Sequence, residues 1–154
     1  MLATGLRRSE VVAIDIDDYN SRTGMLNIHQ GKGNKQRLAY LNSECRSTLR
    51  QWRKLRGNDP GSLFNPVSKS GRVLVRPLVS QSVYDIIQQR AEQAQIGNVR
   101  PHDLRRTFVT QLLEAGVDLN TTRQLAGHQD IQTTARYDFR SAKAQKKAVQ
   151  QLVR

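Results

Sequence analysis

Apolar residues at positions 6, 11, 12 and 14, with no breaker between them, give LRRSEVVAI a helical spacing that predicts the end of a helix. The period then changes. From Ile14 to Leu41 apolar and polar residues alternate, with turn signals at Thr23-Gly24 and at Gly31 and Gly33, which predicts two or three antiparallel strands with a glycine-rich tip around residues 31 to 35. Ser43 before ECRSTLRQWRKLR predicts a capped amphipathic helix, and GNDPGSLFNPVSKSGR after it has the composition of a long loop. Ser80 is placed to cap a helix running to about Gln95. Pro101 precedes a segment whose Leu104, Phe108, Leu112 and Leu113 predict one buried stripe, closed at Gly116. A short helix in DLNTTRQLAGH ends at Gly127, and a last helix lies in SAKAQKKAVQQLV. The fold class predicted is α+β: a mainly helical domain with a small antiparallel sheet.

Composition narrows the partner. The 154 residues suit one domain, and 25 Lys+Arg against 13 Asp+Glu leave a formal charge of +12 and a pI near 10.7. An extended polyanion gains most from such a field, so DNA or RNA leads. The cations run from Arg7 and Arg8 to Lys146 and Lys147, which predicts a charged folded surface instead of a disordered arm. No apolar run approaches the roughly 20 residues of a spanning helix, and the start of the chain lacks a signal-peptide layout. A soluble, intracellular protein is expected. Cys45 stands alone, excluding an intrachain disulfide and a cysteine zinc site, and reads as a small core hydrophobe.

Candidate chemistry starts at HDLRRTF, residues 102 to 108. His102 and Arg105, three apart, would share a helix face and could hold an anion. Phosphodiester chemistry without a metal needs cations on the nonbridging oxygens, an in-line nucleophile and an acid for the leaving oxygen. Arg7 and Arg105 can fork onto phosphate, His102 and His128 can move protons, and a tyrosine hydroxyl can attack phosphorus. A rival lies in DIDD, where Asp15 and Asp17 at period two would face one side of a strand and could ligate Mg²⁺ as in two-metal nucleases, although a third acidic ligand is missing. His29 has no partner spacing and reads as a half-exposed strand residue. Tyr19, Tyr40 and Tyr84 sit in regular patterns and read as structural.

Four segments together resemble the tyrosine recombinase or phage integrase family over nearly the whole chain. ATGLRRSE resembles the segment bearing the first catalytic arginine, here Arg7, with the acidic Glu10 three residues on. GKGNKQR resembles the hairpin of the catalytic lysine, and the family register selects Lys32 over Lys35. HDLRRTF resembles the HxxR segment, giving His102 and Arg105. LAGHQDIQTTARY resembles the closing segment, with His128 and, nine residues later, the nucleophile Tyr137.

The resemblance implies site-specific DNA breakage and rejoining. Tyr137 would attack a phosphodiester to form a 3′-phosphotyrosyl link, while Arg7 and Arg105 stabilise the phosphorane and Lys32 protonates the leaving 5′-oxygen. His102 would assist the tyrosine's proton transfer, His128 would hydrogen-bond the phosphate, and Glu10 would hold the arginine region. No cofactor, ATP or metal is implied. The partners implied are double-stranded DNA and further protomers in a tetrameric synapse joined through the tail, residues 141 to 154, in a bacterial cytoplasm close to the nucleoid. Family members carry a separate N-terminal clamp domain, and Met1 stands six residues before Arg7, so residues 1 to 154 are expected to be a catalytic-domain fragment. A noncatalytic DNA-binding remnant and a type IB topoisomerase are the alternatives.

Overall fold

The structure, a computed structural model, describes residues 1–29, 36–138 and 149–150. The element order is α1 (Arg8–Ala13), a 3₁₀ turn (Ile16–Asp18), β1 (Tyr19–Asn20), β2 (Met25–His29), β3 (Gln36–Tyr40), α2 (Ser43–Arg56), α3 (Ser80–Gln93), α4 (Pro101–Glu114), α5 (Leu119–Ala126) and α6 (Ile131–Ala135). The three strands form one antiparallel sheet in the order β1-β2-β3, with Leu26 opposite Ala39 and Ile28 opposite Arg37. The predicted class, helices around a small antiparallel sheet, is the one observed. The glycine-rich tip and the predicted last helix lie outside the described residues, apart from 149–150.

Several local expectations are corrected. The first segment is a whole short helix and not the end of one: Arg7 stands at its cap position, and Glu10 returns to the Arg7 amide and closes the first turn. Asn42, not Ser43, caps α2, its side chain accepting the Cys45 amide at 2.9 Å. Ser80 is the first residue of α3, with Val79 at the cap position, and that helix stops at Gln93. Residues 15 to 18 form no strand: the Asp15 carboxylate accepts the Asp17 amide and Asp18 accepts the Asp15 amide, so both acids cap the 3₁₀ turn. His29 does have a partner, its Nε2 lying 2.6 Å from Asp18 Oδ1. Cys45 is half-buried at an apolar cavity, outside the core proper.

Two cores hold the chain. One gathers Leu6, Ile14, Tyr19, Leu26, Ile28, Leu49 and Leu63 from the two ends of α1, the sheet, α2 and the following loop. That loop is pinned: Leu63 is fully buried, its amide donates to Ile14 O, and Trp52 Nε1 donates to Leu63 O at 2.8 Å. The other core joins Val109 and Leu113 of α4 to Ala126 of α5, with Phe108, Leu119 and Tyr137 against it. Truncating Leu113 to Ala would cost about 2–5 kcal/mol by the lost transfer and the cavity left. An apolar cavity of about 930 Å³ lies against the first core and reaches Phe108 of the second. The predicted stripe shifts accordingly: Arg105, Val109 and Leu113 are the buried line of α4, whereas Leu104, Phe108 and Leu112 are half-buried along that cavity. Pro101 starts α4, where its missing N–H is harmless. Gly116, with φ 86°, ends it, its amide donating to Leu113 O and that of Val117 to Leu112 O.

Candidate active site

Arg7 is fixed by its neighbour and by a distant turn. Its Nη1 donates to Glu10 Oε1 at 2.7 Å, its amide to Glu10 Oε2 at 2.7 Å, and its Nη2 to the Gly127 carbonyl at 3.1 Å. The side chain stays 44% exposed, so one edge of the guanidinium faces outward. Glu10 is buried, and burial alone would raise its pKa. The Arg7 amide and the charges of Arg37 and Arg7 outweigh that and hold the carboxyl below its ordinary value.

Arg105 lies on the floor beneath. It is 4% exposed, and its Nη1 donates to the Gly5 carbonyl at 2.7 Å. Gly5 makes that approach possible: its φ is 61°, and a Cβ there would stand 2.5 Å from Cδ1 of Phe108, one turn along α4 from Arg105. Nη2 of Arg105 is buried with no hydrogen-bond partner among the described residues. Burial and the nearby Arg7 lower the Arg105 pKa to about 10, which leaves it cationic at neutral pH. A buried guanidinium donor without an acceptor is a costly arrangement.

His128 enters from the end of α5. Gly127 closes α5 in the left-handed conformation, and the His128 amide donates back to Arg123 O, so the imidazole is set by a helix terminus. The ring is 8% exposed, and Nδ1 lies 2.9 Å from Oγ1 of the fully buried Thr134. Burial and then Arg105, Arg7, His102 and Arg37 depress its pKa to about 4. His128 is therefore neutral at pH 7, a hydrogen-bonding group and not a charge.

Tyr137 follows α6, its ring packed on the second core, with its centroid 6.4 Å from that of His128 and 5.8 Å from Arg106 Cζ. His102, in the first turn of α4, is exposed and makes no hydrogen bond among the described residues, and it is close enough to His128 to disfavour a proton there. It stands at the rim of the helix face whose floor is Arg105. The structure thus brings Arg7, Glu10, His102, Arg105, His128 and Tyr137 into one electrostatic neighbourhood. Lys32 and Lys35 lie outside the described residues.

Sequence reasoning missed three members. Arg37 donates to Glu10 Oε2 at 2.9 Å and to Leu125 O at 2.8 Å. Thr134 and Arg106 hold His128 and Tyr137. Alternation gave no signal for Arg37, because it favours Leu38 and Tyr40 as the inward pair, and only the structure puts Arg37 on the face of the core residue Ala39.

The arrangement has relatives. The description "Phage integrase family" matches residues 1–144. Tyrosine recombinase XerC of Pseudomonas fluorescens is 38% identical over 137 residues, covering 86% of this chain and 43% of that protein. Tyrosine recombinase XerA of Pyrococcus furiosus is 31% identical over 150 residues, covering 97% and 51%. The crystal structure of XerA recombinase aligns with a TM-score of 0.76 at 30% identity over 99% of this chain and 56% of that one. The fold is also that of XerH site-specific recombinase, with a TM-score of 0.70 at 24% identity, covering 96% of this chain and 42% of that one. This chain spans about half the length of the curated relatives it matches. Its four ordered motifs, its helix-and-hairpin architecture and the match over residues 1–144 agree, and the chain belongs to the phage integrase family.

Proposed function

We propose that this chain carries the chemistry of a site-specific DNA recombinase, cleaving and rejoining strands through a 3′-phosphotyrosyl intermediate. The observation that supports this most is Arg105: buried, cationic, one nitrogen unpartnered, and beside Arg7 and Tyr137. A phosphodiester seated there accepts from Arg7 and Arg105 as negative charge builds on the nonbridging oxygens. The Tyr137 oxygen attacks phosphorus and the P–O5′ bond breaks. The phenolic proton leaves by way of His102, and Lys32 protonates the departing 5′-oxygen. His128 donates a hydrogen bond to the phosphate, and Glu10 keeps Arg7 in place. Reversal by another strand's 5′-hydroxyl completes the exchange, the phosphotyrosyl bond having kept the energy of the one broken.

Double-stranded DNA is the partner, drawn by the +12 charge through phosphate contacts that weaken with salt. Further protomers would join it through residues 141 to 154 in a tetrameric synapse at bacterial DNA. Among the described residues no helix is long and apolar enough to cross a membrane. The test is a nicked suicide substrate carrying the cognate site, incubated with the protein as it is expressed in its host. A covalent protein–DNA band that survives denaturation, tolerates EDTA and vanishes in Tyr137→Phe is expected. A band that persists in Tyr137→Phe, or that requires Mg²⁺, would refute the reading. Paired-site recombination set beside plasmid relaxation separates recombinase from topoisomerase.

A further inference from the structure

Arg37 is a charged residue on the strand face that also carries the core residue Ala39. It stands opposite Ile28 on the inward face of β3, with a side chain 9% exposed. Its Nη2 donates to Glu10 Oε2 at 2.9 Å, and its Nη1 donates to the Leu125 carbonyl at 2.8 Å. Leu125 lies in the last turn of α5, where carbonyls lack helical donors, so the guanidinium satisfies a helix end while it binds a carboxylate. Gly127 lies directly over it, and a Cβ on that glycine would collide with the Arg37 guanidinium. The carbonyl of the same Gly127 accepts from Arg7 Nη2. The contacts close a ring from Arg37 through Glu10 and Arg7 to Gly127 and back along the chain to Leu125, joining the sheet, α1 and α5.

Charge gives the ring a purpose beyond cohesion. Glu10 accepts from the Arg7 amide, from Arg7 Nη1 and from Arg37 Nη2, so two guanidinium groups share one carboxylate. With Arg37 gone, Glu10 would spend its whole charge on Arg7, and the cation left for a phosphate would weaken. We propose that Arg37 is a positioning residue for strand cleavage: by holding Glu10 and the end of α5, it sets the location and the effective charge of Arg7 against the scissile phosphate. The proposal rests on the functional reading above.

The experiment compares single-turnover cleavage by wild type, Arg37→Gln and Arg37→Lys in the protein as it is expressed in its host. Two suicide substrates are used, one with a normal scissile phosphate and one with a methylphosphonate, in which an uncharged methyl replaces a nonbridging oxygen. Arg37→Gln should slow cleavage of the phosphodiester by up to about 100-fold, as a misplacement of about 1 Å transmitted to a catalytic group can. On the methylphosphonate, where less charge needs neutralising, the loss should be clearly smaller. Arg37→Lys should fall between, since an ammonium can hold Glu10 but cannot fork onto Leu125 as well. Should Arg37→Gln not fold, Arg37→Lys carries the same comparison. Equal losses on both substrates, following the drop in Tm, or no loss at all, would overturn the proposal. Absence of any covalent adduct in wild type would instead sink the functional reading, so the two failures are distinguishable.

Discussion

Thr134→Val tests how His128 is prepared for its role. Thr134 Oγ1 is fully buried, and its contact with His128 Nδ1 at 2.9 Å is its only hydrogen bond among the described residues. Two arrangements satisfy that distance. If Nδ1 carried the proton, the hydroxyl hydrogen would be left buried without an acceptor, at a cost of about 1–3 kcal/mol. If the hydroxyl donates, Nδ1 accepts and the proton of the neutral ring sits on Nε2, free to donate to a phosphate. The accounting therefore selects the Nε2–H tautomer. Valine keeps the shape and removes the donor. Stability should fall by about 2 kcal/mol for the bare buried Nδ1, lowering Tm by about 4–8 °C for a chain of this size. Cleavage should fall roughly 10-fold beyond any change in DNA affinity, corresponding to about 1.4 kcal/mol of lost orientation in the transition state. Nitrogen NMR on histidine-labelled protein reads the tautomer directly, and single-turnover cleavage reads the rate. A wild-type spectrum with Nδ1 protonated, or a Thr134→Val variant with unchanged tautomer and rate, would refute the reasoning.

Three further outcomes are expected. Gly127→Ala should lower Tm and cleavage together, because an alanine at φ 67° costs about 1–2 kcal/mol and its methyl displaces Arg37; its effect should be less than additive with Arg37→Lys, and simple additivity in melting and cleavage assays would count against a shared ring. Lowering pH should destabilise the fold, since the His128 pKa falls from 6.5 unfolded to about 4 folded: the contribution is complete above pH 6.5 and is lost on descending towards 4, up to about 3 kcal/mol. Urea titrations should show that slope, deepened at lower pH as the depressed Glu10 protonates, and should show it much reduced in His128→Gln. Lys32→Ala should slow cleavage of a normal phosphodiester and recover on a substrate whose bridging 5′-oxygen is sulfur, a leaving group needing no proton; that pattern in Lys35→Ala and not in Lys32→Ala would shift the lysine register by three.

What was legible in the sequence was whatever depends on local chemistry. Pro101 and Gly116 bracket α4 because a missing N–H and a left-handed φ are properties of single residues. The β2–β3 pairing follows from alternation, and the motif order points at residues that the structure gathers around Arg105. What was hidden depends on partners far along the chain. Alternation suggests Leu38 and Tyr40 inward, yet they are 41% and 53% exposed while Arg37 and Ala39 face the core, because Glu10 and Leu125 O, 27 and 88 residues away, pair the guanidinium. Arg105 belongs to the buried line of α4 for the same reason, with the Gly5 carbonyl 100 residues away as its partner. Asp15 and Asp17 alternate like strand residues, but the Asp15 carboxylate takes the Asp17 amide and the Asp18 carboxylate takes the Asp15 amide, and a 3₁₀ turn results.

The most direct test of the central claim is the chemistry of the covalent bond. Suicide-substrate adduct is digested with nuclease and trypsin, and the peptide Tyr137-Asp138-Phe139-Arg140, released by cleavage after Arg136 and Arg140, is examined by mass spectrometry. The account predicts a nucleotide attached through its 3′-phosphate to the Tyr137 oxygen, with a free 5′-hydroxyl on the released strand that polynucleotide kinase labels directly. A nucleotide joined through its 5′-phosphate, an adduct on another residue, or cleaved DNA with no protein attached would contradict it.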